Sequence, residues 1–132
     1  VAIDENWESY WRARNENPLD DAETLRLDAN GKIIEIGQKP TSMNEIEGQY
    51  MGLIKLSKKG VKQVKEVFEN EKYLLGKLIE NAYMTDLLQV LINKGIDVNS
   101  VIINDDWVEI DTVSDLLSEV TLNRIKNMDS QA

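Results

Sequence analysis

The sequence of 132 residues contains no cysteine and no histidine. The lack of cysteine excludes disulfides and thiol chemistry. The lack of both excludes zinc sites built on Cys or His and nucleophilic schemes in which histidine is the base. Any chemistry in this chain therefore has to rest on carboxylates, Lys, Arg and Tyr, together with an oxygen-preferring cation such as Mg²⁺.

Positive charge is also scarce, since 15 Lys and Arg residues stand against 24 Asp and Glu residues and give a net charge of −9. This balance argues against binding to a nucleic-acid backbone or an anionic membrane surface, but not against binding a nucleotide. No apolar run approaches the ~18 residues of a membrane span, and no signal-peptide pattern opens the chain. We therefore expect a cytoplasmic protein.

The length and the 42% of apolar residues suffice for one globular domain. We expect residues 1–126 to form this domain and residues 127–132 to be a frayed tail. The opening residues, Val1-Ala2-Ile3-Asp4, read as the end of a buried strand with no preceding cap. This start suggests a fragment or a processed piece of a protein.

Apolar residues at spacings of three and four predict several helices. The first has Trp7, Tyr10, Trp11 and Arg14 at these spacings, and we expect its aromatic residues to anchor the core. A second is capped by Ser57, with Val61, Val64 and Phe68 on one side. Further helices are predicted at residues 74–82, from about Thr85 to a stop at Gly95, and from about Val113 to Lys126.

Alternating residues predict strands. Residues 24–28 and 32–36, joined by Ala29-Asn30-Gly31, indicate a hairpin. Residues 49–56 give the strongest strand pattern, and Gly52 within it suggests close approach of backbone or ligand. Residues 98–103 are predicted as a buried strand. Strands interspersed with helices predict an α/β layered domain with a mixed sheet.

Carboxylates are concentrated around Trp107, where a strand pattern passes into a helix pattern. In an extended backbone Trp107, Glu109 and Asp111 share one face, while Val108 and Ile110 point to the core. Carboxylates between a strand and a helix are where open α/β sheets hold ligands. We therefore predict a divalent-cation site that lacks some of its ligands, with Asp111 as the first candidate and Glu109 as the second.

The neighbouring acids have simpler interpretations. Asp105 and Asp106 suit a turn, and Thr112 with Asp115 has the capping-box spacing. Thr85-Asp86 reads first as a helix N-cap.

Other candidate site residues have two interpretations each. Lys39, held extended by Pro40, either ends a strand in water or binds a ligand. The segment 49–52 is either an ordinary core strand or part of a pocket, and the loop Asp20-Asp21-Ala22-Glu23 carries either solvated acids or ligands.

Four motifs in register over residues 37–112 resemble nucleotidyltransferases of the sugar-phosphate and phospho-alcohol class, which include thymidylyltransferases and cytidylyltransferases. These motifs are Gly37-Gln38-Lys39-Pro40, Gly48-Gln49-Tyr50-Met51-Gly52-Leu53, Met84-Thr85-Asp86-Leu87-Leu88 and Trp107-Val108-Glu109-Ile110-Asp111-Thr112. The first departs from the family pattern, because Gln38 stands where the family has an acid. Two features, the loop Asp21-Ala22-Glu23 and the glutamate at position 109, resemble the cytidylyltransferases more than the other members of the family.

The resemblance implies the second half of a nucleotide-diphospho-sugar-transferase-like (GT-A or Rossmann-like) layered domain. It implies that Lys39 holds the acceptor phosphate and that Asp111 binds Mg²⁺. The remaining substrate-binding residues that it implies are Gln49, Tyr50, Gly52, Trp107 and Glu109.

The family transfers a nucleotidyl group from an NTP to a sugar phosphate or phospho-alcohol and releases pyrophosphate. Its nucleotide-binding half, with a glycine-rich loop and a first metal aspartate, is absent from this sequence. We therefore expect the chain alone to be inactive. We also expect it to form homo-oligomers through an uncovered sheet edge or apolar face. The alternative is a non-catalytic acidic protein-interaction domain.

Overall fold

The computed structural model describes the backbone of residues 1–131 and the side chains of residues 1–130. Its central feature is a three-stranded mixed sheet of β1 (Ala2–Asp4), β4 (Gln49–Tyr50) and β7 (Val101–Ile103). The central strand β1 runs parallel to β7 and antiparallel to β4. The predicted α/β class with a mixed sheet is therefore confirmed.

Two antiparallel hairpins accompany this sheet, one of β2 (Leu25–Leu27) with β3 (Ile33–Ile36) and one of β5 (Tyr73–Leu74) with β6 (Lys77–Leu78). The helices are α1 (Trp7–Arg14), α2 (Lys58–Asn70), α3 (Met84–Asn93), α4 (Val113–Leu117) and α5 (Glu119–Gln131). Short 3₁₀ turns lie at Pro18–Asp20, Met43–Glu45 and Ile79–Asn81. No helix in the described part of the chain has the length and apolarity that crossing a membrane requires.

Two separate clusters of buried side chains stabilise the fold. The first, which we call the aliphatic core, packs α3 and the β2–β3 hairpin against β1. Its members are Ile3, Leu25, Ile33, Ile36, Val67, Leu74, Leu87, Leu88, Leu91 and Val98. The second, the aromatic cluster, consists of Trp7, Tyr10, Trp11, Ala22 and Ile46, with Trp107 packed against it.

Several predicted elements are confirmed with small shifts of their ends. The hairpin of β2 and β3 and the helix α1 are present. Ser57 caps α2, since its hydroxyl oxygen accepts a hydrogen bond from the backbone N–H of Gly60 at 3.0 Å. Helix α3 is followed by Gly95 with a φ of 75°, as a glycine stop requires. Its N-cap is Tyr83 rather than Thr85, and the carboxylate of Asp86 accepts from the N–H of Tyr83.

The helix predicted at residues 74–82 is wrong. Leu75 and Gly76 have positive φ values of 49° and 83°, and this pair forms the two-residue turn of the β5–β6 hairpin. Leucines spaced like a helix therefore belong to a hairpin and a 3₁₀ turn. The predicted inward face of α2 is wrong for Val61 and Phe68, which are exposed, whereas Val64 packs against the aliphatic core, to which the buried Val67 belongs.

Three predicted strands are shorter than expected or absent. The strand pattern at residues 49–56 gives only β4, because Gly52 adopts a φ of 75° that breaks the extended backbone. The strand predicted at residues 98–103 is reduced to β7, which lies at the sheet edge and is exposed rather than buried. Residues 107–111 form a loop, and Ile110 in it is exposed instead of pointing to the core.

The final predicted helix is two helices, because Ser118 leaves the helical conformation with a ψ of 141°. Helix α5 then continues to Gln131, across most of the segment predicted to be frayed. Ala132 lies outside the described residues.

Candidate functional site

The carboxylates predicted as a site lie on residues 104–115, a loop that continues into the first turn of α4 and that we call the carboxylate loop. Its backbone is held by side chains from the start of the fold. The buried hydroxyl group of Tyr10 donates to the carbonyl of Glu109 and accepts from the N–H of Glu109, both at 3.0 Å. The indole N–H of Trp107 donates to the carboxylate of Asp4 at 2.8 Å. Contacts across the chain therefore replace the strand hydrogen bonds that the sequence pattern predicted.

Arg14, at the end of α1, contacts three of the five carboxylates of this loop. Its Nη1 donates to Glu109 at 2.7 Å, its Nη2 to Asp111 at 2.9 Å and its Nε to Asp115 at 2.9 Å. Glu109 and Asp111 therefore do face the same side, as predicted. The residue that joins them is an arginine from a distant part of the sequence.

This arrangement shifts the proton affinities of the groups involved. Hydrogen bonds from Arg14 and then from Thr112 hold the pKa of Asp115 far below its usual range. Burial raises the pKa of Glu109, and the Arg14 guanidinium partly offsets this rise. Burial alone would lower the pKa of Arg14. Its hydrogen bonds to the carboxylates outweigh this effect, so the pKa of Arg14 lies above its usual value.

A second buried arginine also packs on the ring of Tyr10. The guanidinium carbon of Arg124 lies 4.1 Å from the centre of the Tyr10 ring. Arg124 donates to Asp4 at 3.3 Å and to Asp105 at 3.0 Å. Asp4 is fully buried and accepts hydrogen bonds from both Arg124 and Trp107, so its charge is compensated.

The turn of residues 18–21 lies beside Lys39, the first of the predicted substrate-binding residues. The ammonium group of Lys39 donates to the carbonyl oxygens of Leu19 and Asp20, at 2.6 Å each. Lys39 is exposed, so these contacts leave part of its ammonium group open to solvent or to a ligand.

The residues that follow this turn connect it to the aromatic cluster and to α3. Asp21 accepts a hydrogen bond from the indole N–H of Trp11 at 3.1 Å. Burial raises the pKa of Glu23, and a hydrogen bond with Thr85 opposes this rise. The pKa of Tyr50 is raised by burial and by the nearby charge of Glu23. Lys39 and Tyr50, two of the predicted site residues, thus lie close to the loop of residues 18–23.

The remaining predicted residues lie on β4 and just after it. Gln49 is the cross-strand partner of Asp4, and its side-chain oxygen is buried without a partner among the described residues. Gly52 has open space where a Cβ atom would be, so its glycine is explained by the positive φ and not by a close neighbour.

The described residues do not form a complete metal site. No group of three or more Asp or Glu side chains among residues 1–131 is arranged to hold a metal. The side chain of Asp111 is 65% exposed and accepts a hydrogen bond from Arg14. A single exposed carboxylate suits Mg²⁺ only where phosphates and waters provide the other ligands.

Sequence reasoning missed the roles of Arg14, Arg124 and Asp4. For Arg14 a signal was present, because it follows Trp7, Tyr10 and Trp11 on the same face of α1. A charged residue on an apolar helix face indicates a buried counter-charge. No comparable signal marked Arg124 or Asp4, which meet across 120 positions of sequence.

Comparison with known proteins bears on this site. The chain is 42% identical over 119 residues to a CTP:phosphoglutamine cytidylyltransferase from Campylobacter jejuni, a match that covers 88% of this chain and 47% of that protein. The chain thus spans about half the length of the curated relative that it matches. No family model and no solved structure matches the sequence. Over the 119 matched residues, which cover 47% of the relative, the chain belongs to the cytidylyltransferase-like nucleotidyltransferases.

Proposed function

We propose that this chain is the acceptor-binding half of a Mg²⁺-dependent nucleotidyltransferase and that it is inactive alone. The observation that supports this most strongly is the approach of Lys39, Tyr50 and the aromatic cluster to one loop, residues 18–23, in a chain 42% identical to a cytidylyltransferase. The proposed fold is the second half of a nucleotide-diphospho-sugar-transferase-like layered domain, and the proposed setting is the cytoplasm.

The proposed reaction of the complete enzyme is nucleotidyl transfer to a phosphorylated small molecule. A phosphate oxygen of the acceptor forms a bond to the α-phosphorus of an NTP, the α–β phosphoanhydride bond breaks, and pyrophosphate leaves. The relative acts with CTP and phosphoglutamine by its name, so CTP is the proposed donor. The motifs of the sequence favour a phosphorylated alcohol or sugar as the acceptor. Such a transfer depends on positioning and charge neutralisation.

Each predicted residue has a proposed role in acceptor binding. The ammonium group of Lys39 turns from the carbonyls of the 18–21 turn to the acceptor phosphate. Gln49 and Tyr50 line the pocket, where the unpartnered oxygen of Gln49 accepts a hydrogen bond from the acceptor.

The open space beside Gly52 admits the acceptor. Trp107 and Glu109 shape the wall formed by the carboxylate loop. Asp111 supplies one ligand to Mg²⁺, which would neutralise phosphate charge.

The binding test uses the 132-residue chain and its tryptophan fluorescence. Glucose 1-phosphate and phosphocholine are titrated with millimolar Mg²⁺ present. We expect a saturable change in the wild type that is weakened about tenfold in Lys39→Gln and in Asp111→Asn. The control is Lys55→Gln, an exposed lysine outside the proposed pocket, which should bind like the wild type. No response in the wild type to either phosphate would contradict acceptor binding.

The activity test measures pyrophosphate release. The chain alone, given CTP, Mg²⁺ and either acceptor, should release none above background. Turnover by the pure 132-residue chain would overturn the proposal that it is inactive alone.

A second candidate, a non-catalytic protein-interaction domain, is favoured by the edge strand β7. Val101 and Ile102 on this strand are 60% and 47% exposed. The N–H of Val101 donates to Val1 and the carbonyl of Ile103 accepts from Glu5, so the backbone of Ile102 faces away from β1. An apolar strand with a free edge favours pairing with another strand.

We propose that a second copy of the chain pairs at this edge. Sedimentation velocity over a micromolar concentration range should show a dimer that Ile102→Lys dissociates. A wild type that stays monomeric over this range would contradict the pairing.

A further inference from the structure

The carboxylate loop has an internal source of positive charge. The side chain of Arg14 is only 6% exposed, and each of its three guanidinium nitrogens contacts a different carboxylate. The guanidinium carbon lies 5.3 Å from the centre of the Tyr10 ring and 5.1 Å from that of the Trp11 ring. The aromatic cluster thus packs against the guanidinium and restricts its position.

The three contacts differ in their exposure to solvent. The side chain of Asp115 is 12% exposed, that of Glu109 is 33% exposed and that of Asp111 is 65% exposed. Electrostatic attraction is screened most strongly where solvent is closest, so the contact with Asp111 is the weakest of the three. Arg14 therefore remains held by Asp115 and Glu109 if Asp111 leaves.

Asp115 transmits this anchoring to the backbone of the loop. Its second carboxylate oxygen accepts hydrogen bonds from the N–H of Asp111 at 3.2 Å and from the N–H of Thr112 at 2.9 Å. Arg14 binds the other oxygen, so one side chain joins α1 to the backbone on which Asp111 lies. Without a counter-charge the three adjacent carboxylates would repel one another.

We propose that Arg14 is a positioning residue that assembles the carboxylate loop without any metal ion, with Asp111 as the one arm free to exchange Arg14 for a cation. The second clause rests on the proposed function, whereas the first does not. In this arrangement the guanidinium of Arg14 supplies the positive charge that a divalent cation would supply in a loop ordered by metal binding. Asp111 is then already in place when a cation and its phosphates arrive.

Hydrogen exchange of the chain, followed by mass spectrometry of peptides that cover residues 104–117, tests the first clause. We expect wild-type exchange to be equal in EDTA and in millimolar Mg²⁺. In Arg14→Gln the same peptides should exchange about tenfold faster. Arg14→Lys should fall between, since a compact ammonium keeps the charge but not the planar fork whose three nitrogens each reach a different carboxylate. Arg12→Gln is the matched control, because Arg12 lies on the same helix but is exposed and pairs only with Glu8.

A charge-specific rescue separates this role from a merely structural one. In Arg14→Gln, millimolar Mg²⁺ should restore part of the lost protection, whereas KCl at equal ionic strength should not. Should Arg14→Gln fail to fold, the same comparison is made in Arg14→Lys. Wild-type protection that depends on Mg²⁺, unchanged exchange in the Arg14 variants, or equal rescue by KCl would each overturn the proposal.

Asp111→Asn tests the second clause. Because Asp115 and Glu109 keep Arg14 in place, we expect less than a twofold change in exchange of residues 104–117. A change as large as that of Arg14→Gln would show that Asp111 is a structural anchor and overturn its role as the free arm. These exchange results do not depend on acceptor binding, so a failure of the proposed function would leave them unchanged and would be recognised separately.

Discussion

Helix α3 packs on the β2–β3 hairpin mainly through aliphatic side chains, whereas helix α1 meets the carboxylate loop through aromatic rings and buried ion pairs. In the first region burial of apolar surface provides the stability and tolerates a range of side chains of similar volume. In the second region each charged group depends on a particular partner. Asp4 needs Arg124 and Trp107, and the carboxylate loop needs Arg14.

The difference shows how a loop without strand hydrogen bonds can still be ordered. Tyr10, Arg14 and Asp4 lie at the start of the chain and contact residues 95 to 103 positions away. Such contacts fix side-chain positions, which a ligand site requires, at the cost of charges that become unfavourable as soon as a partner is lost. The two regions should therefore respond differently to substitution, to acid and to the loss of a helix cap.

The largest effect is expected from Asp4→Asn. The substitution preserves the shape of the side chain but breaks the buried ion pair and leaves Arg124 with the 56% exposed Asp105 as its remaining carboxylate partner. We expect a loss of about 4 kcal/mol in the free energy of unfolding, measured by urea denaturation followed by circular dichroism. Asp106→Asn, at an exposed position of the carboxylate loop, should change it by less than about 0.5 kcal/mol.

A double-mutant cycle sharpens this prediction. Arg124→Gln should cost much less in the Asp4→Asn background than in the wild type, because the buried ion pair between the two residues is then already broken. Equal costs in both backgrounds would mean that the two residues do not depend on each other, and the contrast between the two regions would fail.

The second prediction concerns the aliphatic core. Leu88→Ala removes a buried side chain from α3 and should cost about 3 kcal/mol through lost burial and the cavity left behind. Leu117→Ala, at an exposed leucine of α4, should cost less than about 0.5 kcal/mol. Urea denaturation measures both, and a cost below about 1 kcal/mol for Leu88→Ala would show that this core is poorly packed.

The same contrast explains which parts of the fold could be predicted from sequence. The β2–β3 hairpin, the cap at Ser57 and the stop at Gly95 follow from residues a few positions apart, and these predictions are confirmed. The helix predicted at 74–82 failed although its pattern is also local. The turn of Leu75 and Gly76 competes with the helix spacing of the leucines, and periodicity alone does not decide between them.

The carboxylate loop could be predicted only in part. The capping pair Thr112 and Asp115 is local and confirmed, as is a turn at Asp105, which has a φ of 65°. The partners of Glu109 and Asp111 come from α1, and no spacing rule connects positions so far apart. Whether Asp111 binds a metal stays a prediction.

Acid should affect the carboxylate loop more than the aliphatic core. The pKa of Asp115 is held below the usual ~3.9 in the folded protein, so the unfolded state binds more protons at low pH. This contribution to stability is present above pH ~4 and is lost as the pH falls below it. The melting temperature of Asp115→Asn should therefore fall less steeply than that of the wild type between pH ~4 and pH ~2.

Glu109 provides a control of opposite sign. Burial raises its folded pKa, so its ionisation at neutral pH opposes folding, and this penalty is relieved as the pH falls through the folded pKa. Glu109→Gln should thus make the fall in melting temperature steeper above pH ~4, and should leave the slope below pH ~4 unchanged. If Asp115→Asn and the wild type fall in parallel, Arg14 does not stabilise the charged form of Asp115.

The smallest effects are expected from the loss of a helix N-cap, which is compared at α2 and in the carboxylate loop. Ser57→Ala removes one hydrogen bond to the N–H of Gly60, and we expect a cost of about 1 kcal/mol. Thr112→Ala removes an acceptor for the N–H of Asp115 and a donor to its carboxylate, and should cost about 2 kcal/mol. Urea denaturation compares them, with Ser42→Ala as a control because Ser42 precedes a 3₁₀ turn without a side-chain cap bond. If Thr112→Ala costs no more than Ser57→Ala, the cap in the carboxylate loop acts independently of Arg14. The two regions would then differ in their side chains but not in how much a helix cap contributes to stability.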